Sequence, residues 1–96
     1  MQGTRLDDGT PPHNAGEYAY MPYSSWQHKP SFFLGDGEWH LIAPDGKIGA
    51  IGRITAERPA AHTITIHKDG SITCSPSLVM PSGWHGFLRA GIWSAA

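Results

Sequence analysis

Six histidines stand among 96 residues, His13, His28, His40, His62, His67 and His85. Neutral imidazole moves protons near pH 7 and is a common ligand of zinc. His40, His62 and His85 form the candidate metal set if the fold brings them together; His62 and His67, an odd number of positions apart on one extended segment, point to opposite faces. Ser75 and Ser77 flank Pro76, and His85 follows shortly after. A hydroxyl beside an imidazole is the minimum for acyl transfer, the ring taking the hydroxyl proton as the oxygen attacks a carbonyl. A small hydrolase using His85 with Ser75 or Ser77, with or without a metal, is therefore one reading. The competing reading of Ser75-Pro76-Ser77 is turn chemistry. No G-x-S-x-G elbow is present, and the spacing places no third residue to orient His85. Cys74 is a weaker nucleophile candidate, because the strand register places it on an aliphatic face where a thiol is buried and inert.

Aromatic residues offer contact chemistry instead. Trp26, Tyr18, Tyr20, Tyr23 and Trp84 are candidates for a stacking platform that takes a partner chain or a sugar, whereas Trp39 and Trp93 fit a packed sheet face. Charge narrows the partners. Seven Lys and Arg against eight Asp and Glu, with no basic run, lack the electrostatic footprint of a general nucleic-acid binder. Ser71 to Ala96 carries one charged side chain, Arg89. A face so poor in charge is cheap to desolvate, which suits either a core position or cover by another subunit.

These groups must be positioned by a single small domain, since 96 residues leave room for no more. Hydrophobic residues are 40% and Gly plus Pro total 20, which supports a packed core over a low-complexity chain. One cysteine cannot form an internal disulfide. The start, Met1 to Asp8, has no apolar stretch of the secretory kind, and the longest uncharged run, Gly70 to Leu88, is broken by Pro76, Pro81 and glycines, so neither export nor membrane insertion is expected. Residues 1–16 are polar and aperiodic and read as a flexible or partner-bound arm, leaving 17–96 as the β domain.

Turn spacing is the most informative pattern. A three-residue hairpin loop ends in a residue at positive φ, cheapest for glycine, and four segments fit: Gly35-Asp36-Gly37, Pro44-Asp45-Gly46, Lys68-Asp69-Gly70 and Arg89-Ala90-Gly91. Such loops pair Ile66 with Ile72, Thr65 with Thr73, Ile64 with Cys74 and Ile42 with Ile48, like with like. They also pair Phe33 with Trp39, Leu88 with Ile92 and Phe87 with Trp93. The expected fold is all-β, a small antiparallel meander closing into a barrel or sandwich. Its seven or so short strands fall near 31–34, 38–43, 47–54, 62–67, 71–75 with an extension through 79, 84–88 and 92–94, with little or no helix.

The last third of the chain carries a resemblance. Asp69-Gly70-Ser71-Ile72-Thr73-Cys74-Ser75-Pro76-Ser77-Leu78, then His85 and the closing Gly91-Ile92-Trp93, is similar to a family of small β domains of unknown function widespread in bacteriophages and prophages. Those domains show an S-P-S strand followed by a histidine and an aromatic hairpin. Some members carry a cysteine knuckle upstream and a cysteine before the histidine; here Met21 to Trp39 has none, and Ser82-Gly83-Trp84 fills the second place. The resemblance implies a phage protein located in the virion or the host cytoplasm. It joins the low charge in favouring a non-enzymatic domain that works by protein–protein contact, as a capsid-decorating or tail-accessory subunit or a host-factor binder, and that self-associates as a homo-oligomer or larger assembly.

Overall fold

The computed structural model describes all 96 residues. The chain forms nine strands, β1 (Thr4–Arg5), β2 (Glu17–Pro22), β3 (Gly37–Ile42), β4 (Ile48–Ile51), β5 (Thr63–Ile66), β6 (Ile72–Ser75), β7 (Leu78–Val79), β8 (His85–Arg89) and β9 (Ile92–Ala95), with one 3-10 turn at Tyr23–Ser25. They make three sheets, β1-β2-β3-β4, β5-β6 and β7-β8-β9. The all-β expectation holds, as a sandwich-like body and not a closed barrel. No helix is long and apolar enough to cross a membrane.

The core lies where the three sheets meet. Tyr18, Trp39, Leu41 and Ile51 enter it from the first sheet, Ile72 and Cys74 from the second, and Leu78, Leu88 and Trp93 from the third. Alternation selects these side chains, because every second residue of a strand shares a face. In β3 the same alternation sends Trp39 and Leu41 to the core and leaves Glu38 and His40 on the opposite face, where the segment after β2 covers them.

Two of the four glycine turns close as expected. Gly46 N–H bonds the Ala43 carbonyl at 2.8 Å and Gly70 N–H bonds the His67 carbonyl at 2.9 Å. The glycines take φ +81 and +87, and the registers Ile42↔Ile48 and Ile66↔Ile72 follow. The other two differ. Residues 31–34 form no strand; Leu34 makes one isolated bridge to Ile54, and Trp39 pairs with Tyr20 and Ile51 and not with Phe33. The aromatic segment Glu17–Pro22 is the better partner, since it matches β3 over five residue pairs, whereas 31–34 is short and hemmed by Pro30 and Gly35.

At the last hairpin the loop has two residues, Ala90 at φ 47 and Gly91 at φ 75. Both central residues are left-handed, the primed turn whose twist matches paired strands. The register therefore slips by one, to Leu88↔Trp93, Arg89↔Ile92 and Phe87↔Ser94. A slip of one exchanges faces. It places Leu88 and Trp93 together in the core and sends Phe87 out, where Arg89 lies 3.9 Å over its ring. Left-handed φ is costly for alanine and tolerated by asparagine. Ala90→Asn is expected to stabilise the domain by about 0.5–1 kcal/mol, read as a higher denaturant midpoint at unchanged slope.

The first sixteen residues lie along the body. β1 pairs in parallel with β2, Gln2 bridges Ile92, and Gly3 N–H bonds the Gly91 carbonyl at 2.7 Å. Trp93 completes the attachment through its ring nitrogen, which donates to the Gly16 carbonyl at 3.0 Å.

Candidate functional site

The link between β6 and β7 carries Pro76 and Ser77, and β7 pairs with β8 in the register Val79↔His85. Continuing that ladder sets Ser77 opposite Phe87, two positions from His85 and on the same face of the sheet, and His85 Nε2 lies 3.0 Å from Ser77 Oγ. His62, just before β5, reaches the same residue from the other side, its Nε2–H donating to the Ser77 carbonyl at 3.1 Å. Ser77 and His85 thus form a hydroxyl–imidazole pair at the surface. Ser75 pairs with Thr63 in the β5–β6 ladder and makes no hydrogen bond to His85; it shares with Ser77, Thr73, Pro76, Phe87 and Arg89 the lining of a shallow cavity of about 370 Å³. No carboxylate hydrogen-bonds His85, so nothing fixes its ring in the orientation that a serine nucleophile requires.

The proposed metal set does not converge. His40 Nε2 bonds Glu38 at 2.7 Å on the far face of β3, while His62 and His85 meet at Ser77, and no three His, Cys, Asp or Glu side chains lie close enough to hold an ion. Cys74 is buried and points into the core. Burial pushes its thiol up to about 12, far from a thiolate at neutral pH.

A second cluster centres on Glu38, whose side chain is 0% exposed. Tyr23 donates its hydroxyl to Oε1 at 2.7 Å, Arg53 donates Nε to Oε1 at 2.9 Å and a terminal nitrogen to Oε2 at 2.6 Å, and His40 completes the set. Burial alone would raise the Glu38 carboxyl, but the hydrogen bonds from Arg53, Tyr23 and His40 outweigh it and hold the group below its ordinary value. The same bond raises Arg53. Burial, then the bond to Glu38, pushes Tyr23 up to about 12.

With both oxygens occupied, the Glu38 carboxylate is not free to act as a base, and its work is to clamp the segment after β2 onto the sheet. Aromatic contacts extend the clamp. Tyr23 meets Trp26 edge-on at 5.0 Å and Phe33 at 6.0 Å, and Arg53 lies 4.5 Å over the Phe33 ring. Glu38 is not among the site residues that motif and spacing single out. The available signal is Glu38 and His40 alternating with Trp39 and Leu41, a polar pair on one face of the strand.

The five aromatic contact candidates separate by burial. Tyr18 is 1% exposed and belongs to the core, and Tyr23 is buried against Glu38, so both are corrected from contact residues to structural ones. Tyr20 packs edge-on against Trp39 at 5.4 Å. Trp26 and Trp84 keep part of their surface in solvent, Trp84 resting on Trp93 at 5.6 Å.

No protein-family model, curated protein or solved structure matches this chain. Its chemistry therefore rests on the geometry above and on the surface. That surface leaves several large apolar side chains in solvent: Val79 is 70% exposed, Phe32 63% and Ile66 57%. The charge-poor C-terminal segment supplies Ile72, Cys74, Leu78, Leu88 and Trp93 to the core and still leaves Val79 and Ile92 in solvent.

Proposed function

We propose that this chain is a non-enzymatic β domain that acts through protein–protein contact, as a virion component of the capsid-decorating or tail-accessory kind. The observation that carries this reading is the exposure of large apolar side chains, Val79, Phe32 and Ile66 above all. Apolar side chains left in solvent can serve as the core of an interface when a partner covers them. The likeness of the 69–93 stretch to phage domains supports the viral setting. Mass spectrometry of particles purified from cells carrying the gene should find the chain in the particle at a fixed ratio to the major capsid or tail protein. Its absence from particles, with a stable host complex recovered instead, would move the contact to a host factor.

A second reading is favoured by one distance, the 3.0 Å between His85 Nε2 and Ser77 Oγ. A small hydrolase would use His85 as base and Ser77 as nucleophile. Under the contact reading, the hydrolysis of an activated ester such as p-nitrophenyl acetate stays at the level of a free imidazole and is the same in Ser77→Ala. A burst of product that vanishes in both Ser77→Ala and His85→Ala, with the fold intact, would establish the hydrolase.

A further inference from the structure

The β5–β6 sheet has only two strands, and β5 is bonded on one side alone. The phase of its ladder shows which groups are free. His67 N–H bonds the Ser71 carbonyl at 2.8 Å, so the directly opposed pair His67 and Ser71 is a hydrogen-bonded one. Such pairs alternate in an antiparallel ladder. Thr65 with Thr73 and Thr63 with Ser75 are therefore hydrogen-bonded too, and the N–H and C=O groups of Ile64 and Ile66 point away from β6. No backbone bond outside the ladder uses them. Edge strands of natural domains are usually blunted by charge, proline or a bulge. Thr63-Ile64-Thr65-Ile66 has none of these, and Thr63, Thr65 and Ile66 are all exposed.

We infer that the free edge of β5 pairs antiparallel with β5 of a second copy of this chain, across a twofold axis at Thr65, joining two β5–β6 hairpins into one four-stranded sheet. The inference names the partner within the contact reading and rests on it. Self-pairing is favoured because the edge is complementary to itself. With Thr65 opposite Thr65 of the second copy, Ile64 of each chain faces Ile66 of the other, and their outward N–H and C=O groups form two hydrogen-bonded pairs. Each exposed Ile66 then packs on the half-buried Ile64 of the other copy, on one face of the sheet. Next along the ladder Thr63 faces His67 and His62 faces Lys68, so no two Lys, Arg, Asp or Glu side chains oppose one another. Shifting the pairing by two positions one way sets Ile66 against His62 and keeps only Ile64 opposite Ile64; shifting it the other way sets Ile64 against Lys68 and keeps only Ile66 opposite Ile66, so either shift halves the apolar pairs. A strand pair this short buries less than the roughly 1,200 Å² of a stable complex, so the association is concentration-dependent and is reinforced where copies are arrayed together.

The register supplies its own test. Thr65 and its mate form a non-hydrogen-bonded pair, with Cα atoms about 4.5 Å apart, inside the range of about 4.4–6.8 Å that a disulfide spans. Mild oxidation of full-length Thr65→Cys should yield a disulfide-linked dimer, while Thr63→Cys, which would face His67, should give at least tenfold less. Adding Ile66→Lys, at a side chain already 57% exposed, should lower the Thr65→Cys yield by a similar factor with the circular dichroism spectrum unchanged. Sedimentation of the unmodified protein should show a monomer–dimer equilibrium that Ile66→Lys shifts to monomer. Equal cross-linking from positions 63 and 65, or a monomer at millimolar concentration with no Thr65→Cys dimer, would overturn self-pairing. If such a monomeric chain were still found in particles, self-pairing alone would fall and the contact reading would stand.

Discussion

Glu38→Ala should be among the most damaging single substitutions in the domain, lowering stability by about 3–5 kcal/mol, the usual cost of removing one partner of a buried ion pair. Three losses coincide. The Tyr23 hydroxyl is left buried without its acceptor, the bidentate Arg53 contact disappears, and a hole opens between β3 and the segment that covers it. At about 4–8 °C per kcal/mol for a domain of this size, the Tm should fall by more than 10 °C. Arg53→Met should cost less, about 1–3 kcal/mol, because the Arg53 side chain is 44% exposed and Glu38 keeps Tyr23 and His40 as donors.

The Glu38 carboxyl is held below its ordinary value of 4.5 in the folded chain. Its contribution is therefore complete above the unfolded value and is lost as pH falls through the folded one. The stability gap between the native chain and Glu38→Gln should be constant near neutral pH and should narrow as pH drops below about 4.5. Urea melts of the two proteins at a series of pH values measure it. A gap that widens in acid would show that the cluster does not hold the charged form.

Trp93→Ala should be comparably severe, at about 3–5 kcal/mol for an aromatic side chain removed from a packed core. Trp93 is 1% exposed, stacks edge-on against Trp84, and donates its ring N–H to the Gly16 carbonyl. Its removal opens a cavity between the third sheet and the first residues of the chain and leaves that carbonyl with only the longer bond from Thr4 N–H, at 3.2 Å. The amides of Gly3 and Thr4 should then exchange with solvent much faster than in the native protein, reporting that the N-terminal segment has come loose. Trp93→Phe, which keeps most of the volume and loses only the hydrogen bond and one ring, should retain a folded domain with roughly half the loss.

Where turn chemistry and strand pattern agreed, the sequence was a sufficient guide. Lys68-Asp69-Gly70 and Pro44-Asp45-Gly46 have the left-handed glycine in the last loop position and like residues on either side, so both register and loop length could be read directly. Ala90-Gly91 misled because alanine is an uncommon choice for a left-handed position, and a three-residue loop avoided placing it there. The core was better evidence than the turn, since only the slipped register puts Leu88 beside Trp93.

β3 chose Glu17–Pro22 over residues 31–34 through pairing across more than a dozen residues, which no local pattern reveals. The candidate pair Ser77 and His85 was legible because the two lie close in sequence on opposite arms of one hairpin, Ser77 just before β7 and His85 at the start of β8. The Glu38 cluster was not, because Tyr23, Glu38, His40 and Arg53 come together only through the stacking of a loop on a sheet face. The unprotected edge of β5 depends on what lies beside a strand, and composition carries no record of it.

Residue-resolved amide hydrogen exchange of the native chain across a dilution series tests the central claim most directly. In dilute solution the outward amides of Ile64 and Ile66 should exchange quickly while that of Thr65, bonded to β6, stays protected; as concentration rises, protection should appear at Ile64 and Ile66 together. Exchange at these two amides that is equally fast at every concentration, or equally slow at the lowest, would contradict an open edge that functions by taking a second strand.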